Sequence, residues 1–244
     1  MNLYREQGVV LRTWKLGEAD RIVVLLTQGE GKVRAVAKGV RKTKSRFGGR
    51  LEPFSHVDLS LYRGRELDIV TQAEVISPFR ALREDYDRVV AGTAMLEAVD
   101  QVAQERETAI RLYLLLVRAL RALDGGPRDP SVVLDAFLLK LMALEGYRPA
   151  LAECAGCGAR EQPPRCFSIA RGGGLCERCR TGQESNLDAA TMPLLAALLG
   201  DDLDTTAAAA EPAATSRREA GALVKGYVEY HLDRRLRAYP LVAR

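Results

Sequence analysis

The sequence predicts a multidomain α+β protein: an N-terminal β-barrel, then a mainly α-helical domain with an embedded four-cysteine module. Three observations lead there. Apolar residues favour short strands up to about Ser77, the period becomes 3.6 beyond Pro78, and two C-x2-C pairs interrupt the helical part. A chain of 244 residues, 47% hydrophobic and 28% charged, can bury a real core, which excludes disordered, collagen-like and coiled-coil-only readings.

Five strands are expected in the first 77 residues. Gly8 to Trp14 is the first, and Ile22 to Leu26 is a continuous apolar run suited to burial on both faces. After the turn Gln28-Gly29-Glu30-Gly31, Lys32 to Lys38 alternates, with Val33, Ala35 and Ala37 on one face and Lys32, Arg34, Val36 and Lys38 on the other. Val57, Leu59 and Leu61 alternate likewise, and Leu67 to Val75 is the last strand. Five strands in so short a stretch suit a small closed barrel of the OB-fold type.

Beyond it, Ile110, Tyr113, Leu114, Val117, Leu120 and Leu123 form a helical stripe that Gly125-Gly126-Pro127 ends. Asp129-Pro130 supplies an N-cap and a proline at the first helical position. Of the 13 residues 132 to 144, 11 are apolar, so this helix is expected at the bundle centre. Helical signals return at Asp188 to Gly200. They resume after the Ala-rich stretch Asp201 to Ala214, read as a mobile linker, with a capping box of Ser216 and Glu219 and the stripe Ala220, Leu223, Val224, Tyr227, Val228. The expected division is 1–79 barrel, 80–149 first helical part, 150–182 cysteine module and 183–244 second helical part.

Cys154-Ala155-Gly156-Cys157 and Cys176-Glu177-Arg178-Cys179 lie 18 residues apart, the spacing of a four-cysteine zinc site. Each tight turn aims two thiolates at one point, and two turns complete a tetrahedron around one Zn²⁺. A closed shell leaves no place for substrate water, so the ion is expected to be structural. A redox C-x-x-C needs a βαβ context that this stretch lacks. Cys166 is left as a spare thiol.

Net charge is +4, but residues 1–80 carry 15 Lys and Arg against 9 Asp and Glu. The excess centres on Lys32, Arg34, Lys38, Arg41, Lys42, Lys44, Arg46 and Arg50, with no acidic residue between Gly31 and Arg50. A polyanion is the partner such a run fits, because each phosphate neutralised releases condensed counterions. Phe47 is either a base-stacking platform or a plug in the core.

These residues resemble one family, the RecO recombination mediators of bacterial DNA repair. The likeness is carried by Gly17-Glu18-Ala19-Asp20-Arg21-Ile22-Val23, Ala37-Lys38-Gly39-Val40-Arg41-Lys42, Lys44-Ser45-Arg46-Phe47 and Leu51-Glu52-Pro53-Phe54. Farther on it is carried by Gly146-Tyr147-Arg148-Pro149 leading into Cys154 and Cys157, and by Gly172-Gly173-Gly174 before Cys176. The resemblance implies binding of single- and double-stranded DNA and annealing of complementary strands. It also implies work with RecR, and with RecF, to load RecA onto strands coated by single-stranded-DNA-binding protein.

No enzyme is expected. His56 and His231 are the only histidines, and neither a Walker A sequence nor a dinucleotide fingerprint is present. The residues alone leave open a zinc-ribbon, OB-fold RNA-binding or transcription-associated factor, or a nuclease with ungrouped carboxylates. The first twelve residues hold no signal-peptide run, and residues 132–144 fall short of the roughly 20 residues that span a bilayer. The expectation is a cytoplasmic, nucleoid-associated protein with no membrane partner.

Overall fold

Five strands close into a barrel in the computed structural model, which describes residues 3–125, 129–161, 164–182, 184, 186–200, 203 and 213–242. They are β1 (Leu3–Leu16), β2 (Asp20–Thr27), β3 (Gly31–Ala37), β4 (His56–Tyr62) and β5 (Asp68–Ser77), in the order β1-β2-β3-β5-β4 with β4 back on β1. This is an OB-fold barrel. Alternation builds it as expected: Val33, Ala35 and Ala37 of β3 point inward, and Lys32, Arg34 and Val36 point out. Val10, Val23, Leu25 and Leu61 fill the interior at 0% exposure, each contributing about 1.5–3 kcal/mol by burial.

The barrel has one weak seam. β3 and β5 pair in parallel at only Ala35↔Asp68 and Val36↔Ile69. Beside it, the helical part lends a segment: Lys32 N donates to Gln104 O at 3.2 Å, and Arg106 N to Lys32 O at 3.0 Å. Asp68, fully buried, accepts from the Arg106 guanidinium at 2.8 Å, from Gly64 N at 2.9 Å and from the Tyr4 hydroxyl. Burial opposes its charge, but these donors outweigh burial and hold its carboxyl below the usual range. Gly31 (φ +65°) lets the β2–β3 turn lie on this segment, since a Cβ there would stand 1.8 Å from Glu107 O.

The helices are α1 (Arg80–Glu84), α2 (Tyr86–Val102), α3 (Ile110–Asp124), α4 (Pro130–Leu144), α5 (Thr191–Gly200) and α6 (Ala214–Leu232). The hairpin β6 (Cys166–Ser168) and β7 (Gly173–Leu175) lies between α4 and α5. As expected, α4 is central: Asp129 caps it through Ser131 N at 2.9 Å, and it packs on α2, α3, α5 and α6. Val9, Leu11, Val24 and Leu26, on the outer face of β1 and β2, join the helical core, so barrel and bundle share one apolar interior.

Three local expectations change. In α3, Ile110 and Leu114 are exposed and Leu112 and Leu116 are buried instead, because leucines on several faces let packing, rather than pattern, choose the inner one. Ser216 and Glu219 lie inside α6 and cap α5 from outside. Ser216 Oγ donates to Asp188 Oδ1 at 2.6 Å, while Glu219 accepts from Asp188 N at 2.9 Å and Thr191 Oγ1 at 2.6 Å. The third is an addition: α2 carries no single apolar stripe in the sequence, because its small residues Ala91, Gly92, Ala94 and Ala98 are buried on several faces. The stretch read as a mobile linker falls almost wholly outside the described residues, as do Gly126 and Pro127; within it, Leu203 is buried.

Candidate nucleic-acid interface and metal centre

The loop from β3 to β4 is pinned at two levels. Underneath, Val40, Phe47 and Leu51 enter the barrel core, with Phe47 1% exposed. Its ring is therefore the core plug, and the outer neighbour that covers it is Arg46, whose guanidinium carbon stands 4.9 Å from the ring centre. At the rim, Asp20 Oδ1 accepts from Gly39 N at 2.7 Å and Ala19 O from Arg41 N at 2.9 Å. The Arg41 side chain donates to Glu18 O at 2.8 Å and Gly17 O at 3.3 Å. Arg50 donates to Arg46 O.

The eight cations divide accordingly. Lys38, Lys42 and Lys44 are exposed and meet no carboxylate among the described residues. Arg41, Arg46 and Arg50 are also exposed, with backbone or ring partners. Lys32 and Arg34 are different. The local sequence holds no acid, yet the fold brings two: Lys32 Nζ lies 3.6 Å from Asp100 Oδ1 and donates to Asp100 O at 2.8 Å, and Arg34 lies 3.7 Å from Glu105. Lys32 is thereby tied into the seam.

Sequence reasoning missed Arg12 and Trp14. β1 carries a bulge between Val10 and Arg12, which shifts the register by one. The consecutive residues Leu11 and Arg12 then share the outer face, Leu11 packing with Val9 on the helices, and Arg12 and Trp14 lie opposite Val24 and Ile22. Cross-strand rows follow, Arg12–Val24–Arg34 and Trp14–Ile22–Val36. Arg12 pairs with Asp100 at 2.9 Å and lies 5.1 Å from the Trp14 ring centre. The local signal is that unbroken alternation would put Arg12 beside Val10 in the barrel interior, where a charge has no partner.

The cysteine turns converge as their spacing requires. The Sγ atoms of Cys154, Cys157, Cys176 and Cys179 all lie within 4.8 Å of one another. The Cys157–Cys176 separation is 3.8 Å, the edge of a tetrahedron whose Zn–S bonds are about 2.3 Å. Cys154 accepts from Cys176 N and Gly156 N, each at 3.4 Å, and those donors hold its thiol down to about 6 against burial. Sulfur neighbours push Cys179 up to about 12, because four thiolates this close cannot all ionise without a cation. Gly156 is tightly placed, since a Cβ would stand 3.1 Å from Cys179 Sγ and push on it by a few tenths of an ångström. The four residues can hold one metal ion. Cys166 packs in the same small buried cluster but stands outside the group of four, its thiol on Leu175 O at 3.7 Å and its pKa raised by burial.

The histidines are structural. His56, 3% exposed, bonds the Tyr113 hydroxyl at 2.7 Å, and burial with Arg121 nearby lowers its pKa to about 4. His231 stacks on Tyr147 at 4.5 Å. No helix among the described residues is long and apolar enough to cross a membrane.

Comparison with known proteins agrees with this architecture. Residues 1–79 match the family model "Recombination protein O N terminal" and residues 83–240 match "Recombination protein O C terminal". The chain is 50% identical over 247 residues to the DNA repair protein RecO of a Nocardioides species, covering 99% of this chain and all of that one. It is 49% identical, over the full length of both chains, to the DNA repair proteins RecO of Frankia casuarinae and Streptomyces avermitilis. A five-stranded barrel, a helical body with a four-cysteine cluster and this likeness along the whole chain place it in the RecO family, with a role in DNA repair and recombination.

Proposed function

We propose that the protein binds single- and double-stranded DNA without sequence preference and anneals complementary strands, and that one structural Zn²⁺ holds its cysteine module. The observation that carries this reading is the rim of Lys38, Lys42 and Lys44, flanked by Arg41, Arg46 and Arg50, above a loop anchored in the barrel core. Annealing requires two polyanions to approach, and a cationic rim lowers their repulsion while leaving base edges free to pair. Flexible cations on a fixed base grip backbone and read no bases. No step needs bond chemistry, and the protein acts as a binder rather than an enzyme. By family likeness its partners are RecR, RecF, RecA and single-stranded-DNA-binding protein.

The test is strand annealing with Lys38, Arg41, Lys42 and Lys44 replaced together by alanine. Annealing should fall sharply. The slope of log K against log[salt] for single strands should flatten by about 3, near 0.7 for each lost contact. Annealing at the unaltered rate would move the contact surface elsewhere.

A further inference from the structure

The chain's other end carries a second cluster of cations. After α6, Asp233 takes a left-handed backbone (φ 50°) and the chain turns back across the bundle. Side chains then alternate: Arg234, Arg235 and Arg237 are exposed, while Leu236 (1%), Ala238 (8%) and Tyr239 (3%) enter the shared core. The backbone is fixed on both sides. Leu236 N donates to Glu229 Oε1 at 3.4 Å, Ala238 N to Glu97 Oε2 at 3.2 Å and Gln101 Nε2 to Arg235 O at 3.4 Å. The Tyr239 hydroxyl lies 2.7 Å from both Gly221 O and Asp135 Oδ1.

These arginines wall a cleft of about 1120 Å³ between the bundle and the barrel, whose opposite wall is Leu11, Arg12 and Thr13 of β1 with Pro53 and Phe54. Two carboxylates line it, and both are engaged: Asp100 with Arg12 and Lys32, and Glu97 with Ala238 N. None of Arg234, Arg235 and Arg237 forms an ion pair among the described residues. Arg12, Thr13 and Asp100 also line a second hollow that leads over the barrel to Trp14 and Arg34. The two hollows share Arg12, Thr13 and Asp100 and together reach from an indole, past Arg12, to three exposed arginines on a fixed backbone.

We propose that this groove is a second binding path for single-stranded DNA, in which Arg234, Arg235 and Arg237 take backbone phosphates and an unstacked base lies against the Arg12–Trp14 pair. The inference rests on the DNA-binding reading above and adds a site separate from the Lys38–Arg50 loop. Charge selects the occupant: three exposed guanidiniums without an ion pair among the described residues outnumber the one carboxylate, Glu97, that only a backbone N–H meets, and this surplus of positive charge along a concave wall suits a chain of phosphates. The indole selects the single strand, because a duplex keeps its base faces stacked and only an unpaired base can lie on an aromatic or guanidinium plane. Two separate paths on one molecule would let two complementary strands be held at once.

Trp14 is the only tryptophan, so intrinsic fluorescence reads this groove directly. Oligo(dT) should quench it in the full-length, metal-loaded protein, and should still do so in the loop variant with Lys38, Arg41, Lys42 and Lys44 neutralised. Replacing Arg234, Arg235 and Arg237 together by alanine should abolish the quenching. It should also flatten the salt slope by about 2 and weaken oligo(dT) binding on the order of 100-fold at 0.1 M salt. The triple lysine variant should restore most of the slope, since counterion release counts charges; it also controls for folding, together with an unchanged melting temperature. An alanine variant with wild-type affinity, slope and quenching overturns this inference and leaves the loop reading intact. Quenching by a polyglutamate peptide but not by oligo(dT) overturns it in favour of an acidic protein partner. If the unaltered protein shows no salt-dependent binding at all, the DNA-binding reading fails and this one falls with it.

Discussion

The β3–β4 loop and the cysteine module are both long stretches with little regular structure, yet they are ordered by opposite means. The loop places Val40, Phe47 and Leu51 in the barrel core and leaves its charges in solvent. Among the described residues, the module's own buried cluster is Cys154, Cys166, Leu175 and Cys176, three of them thiols; Phe167 ties it to the helical core, and its four converging cysteines could hold a metal ion. A hydrophobic plug frees the surface above it for binding, whereas a metal centre commits its best donors to holding the chain. The difference leaves the cations of the first region, Lys38, Lys42 and Lys44 among them, exposed for the binding role proposed for them.

The comparison breaks most readily at the metal. Cys176→Ser, or removal of the ion by a chelator, should cost the module its order, since structural zinc contributes about 10–16 kcal/mol in small modules. Hydrogen exchange should then lose protection across residues 150–182 while the barrel keeps it. Protection that survives with full metal content would mean the module is held some other way.

Phe47→Ala tests the plug. Emptying a fully buried aromatic site should lower stability by about 3–5 kcal/mol in urea titration, with the salt slope of DNA binding little changed. A loss below about 1 kcal/mol with weakened oligonucleotide binding would return Phe47 to the role of stacking platform.

Acid sharpens the contrast further, because it reaches the barrel–bundle seam through His56. Its folded pKa is lowered to about 4 from an unfolded value of about 6.5. The unfolded chain therefore takes the proton first, and this contribution, intact above about pH 6.5, is lost as the pH falls towards 4, by up to about 3 kcal/mol. His56→Gln should remove that part of the pH dependence of stability in metal-loaded protein. An unaltered profile would count against a buried neutral histidine. The smallest expected effect is that of the neutralised loop lysines on stability, within about 0.5 kcal/mol, against their large effect on binding.

Much of this was legible in the chain before folding. Alternation at Val33, Ala35 and Ala37 fixed which face of β3 turns inward, and the paired C-x2-C turns picked out the four cysteines that converge, because both signals depend on geometry within a few residues. The Asp129-Pro130 cap was readable for the same reason. The sequence does not choose between the two roles of Phe47, since burial depends on what the rest of the barrel leaves empty. The partners of Lys32 and Arg34 come from Asp100 and Glu105, about 70 positions on, where no local pattern points to them.

Sequence alone thus determined the barrel, the helical character and the four cysteines that come together, each written in short-range periodicity or spacing. Only tertiary structure decided which cations stay unpaired, that a bulge turns Arg12 and Trp14 outward, and that Arg234, Arg235 and Arg237 return to face them. The physical reason is that charge compensation and exposure are properties of neighbours in space, and chain closure brings together residues that the linear order keeps apart.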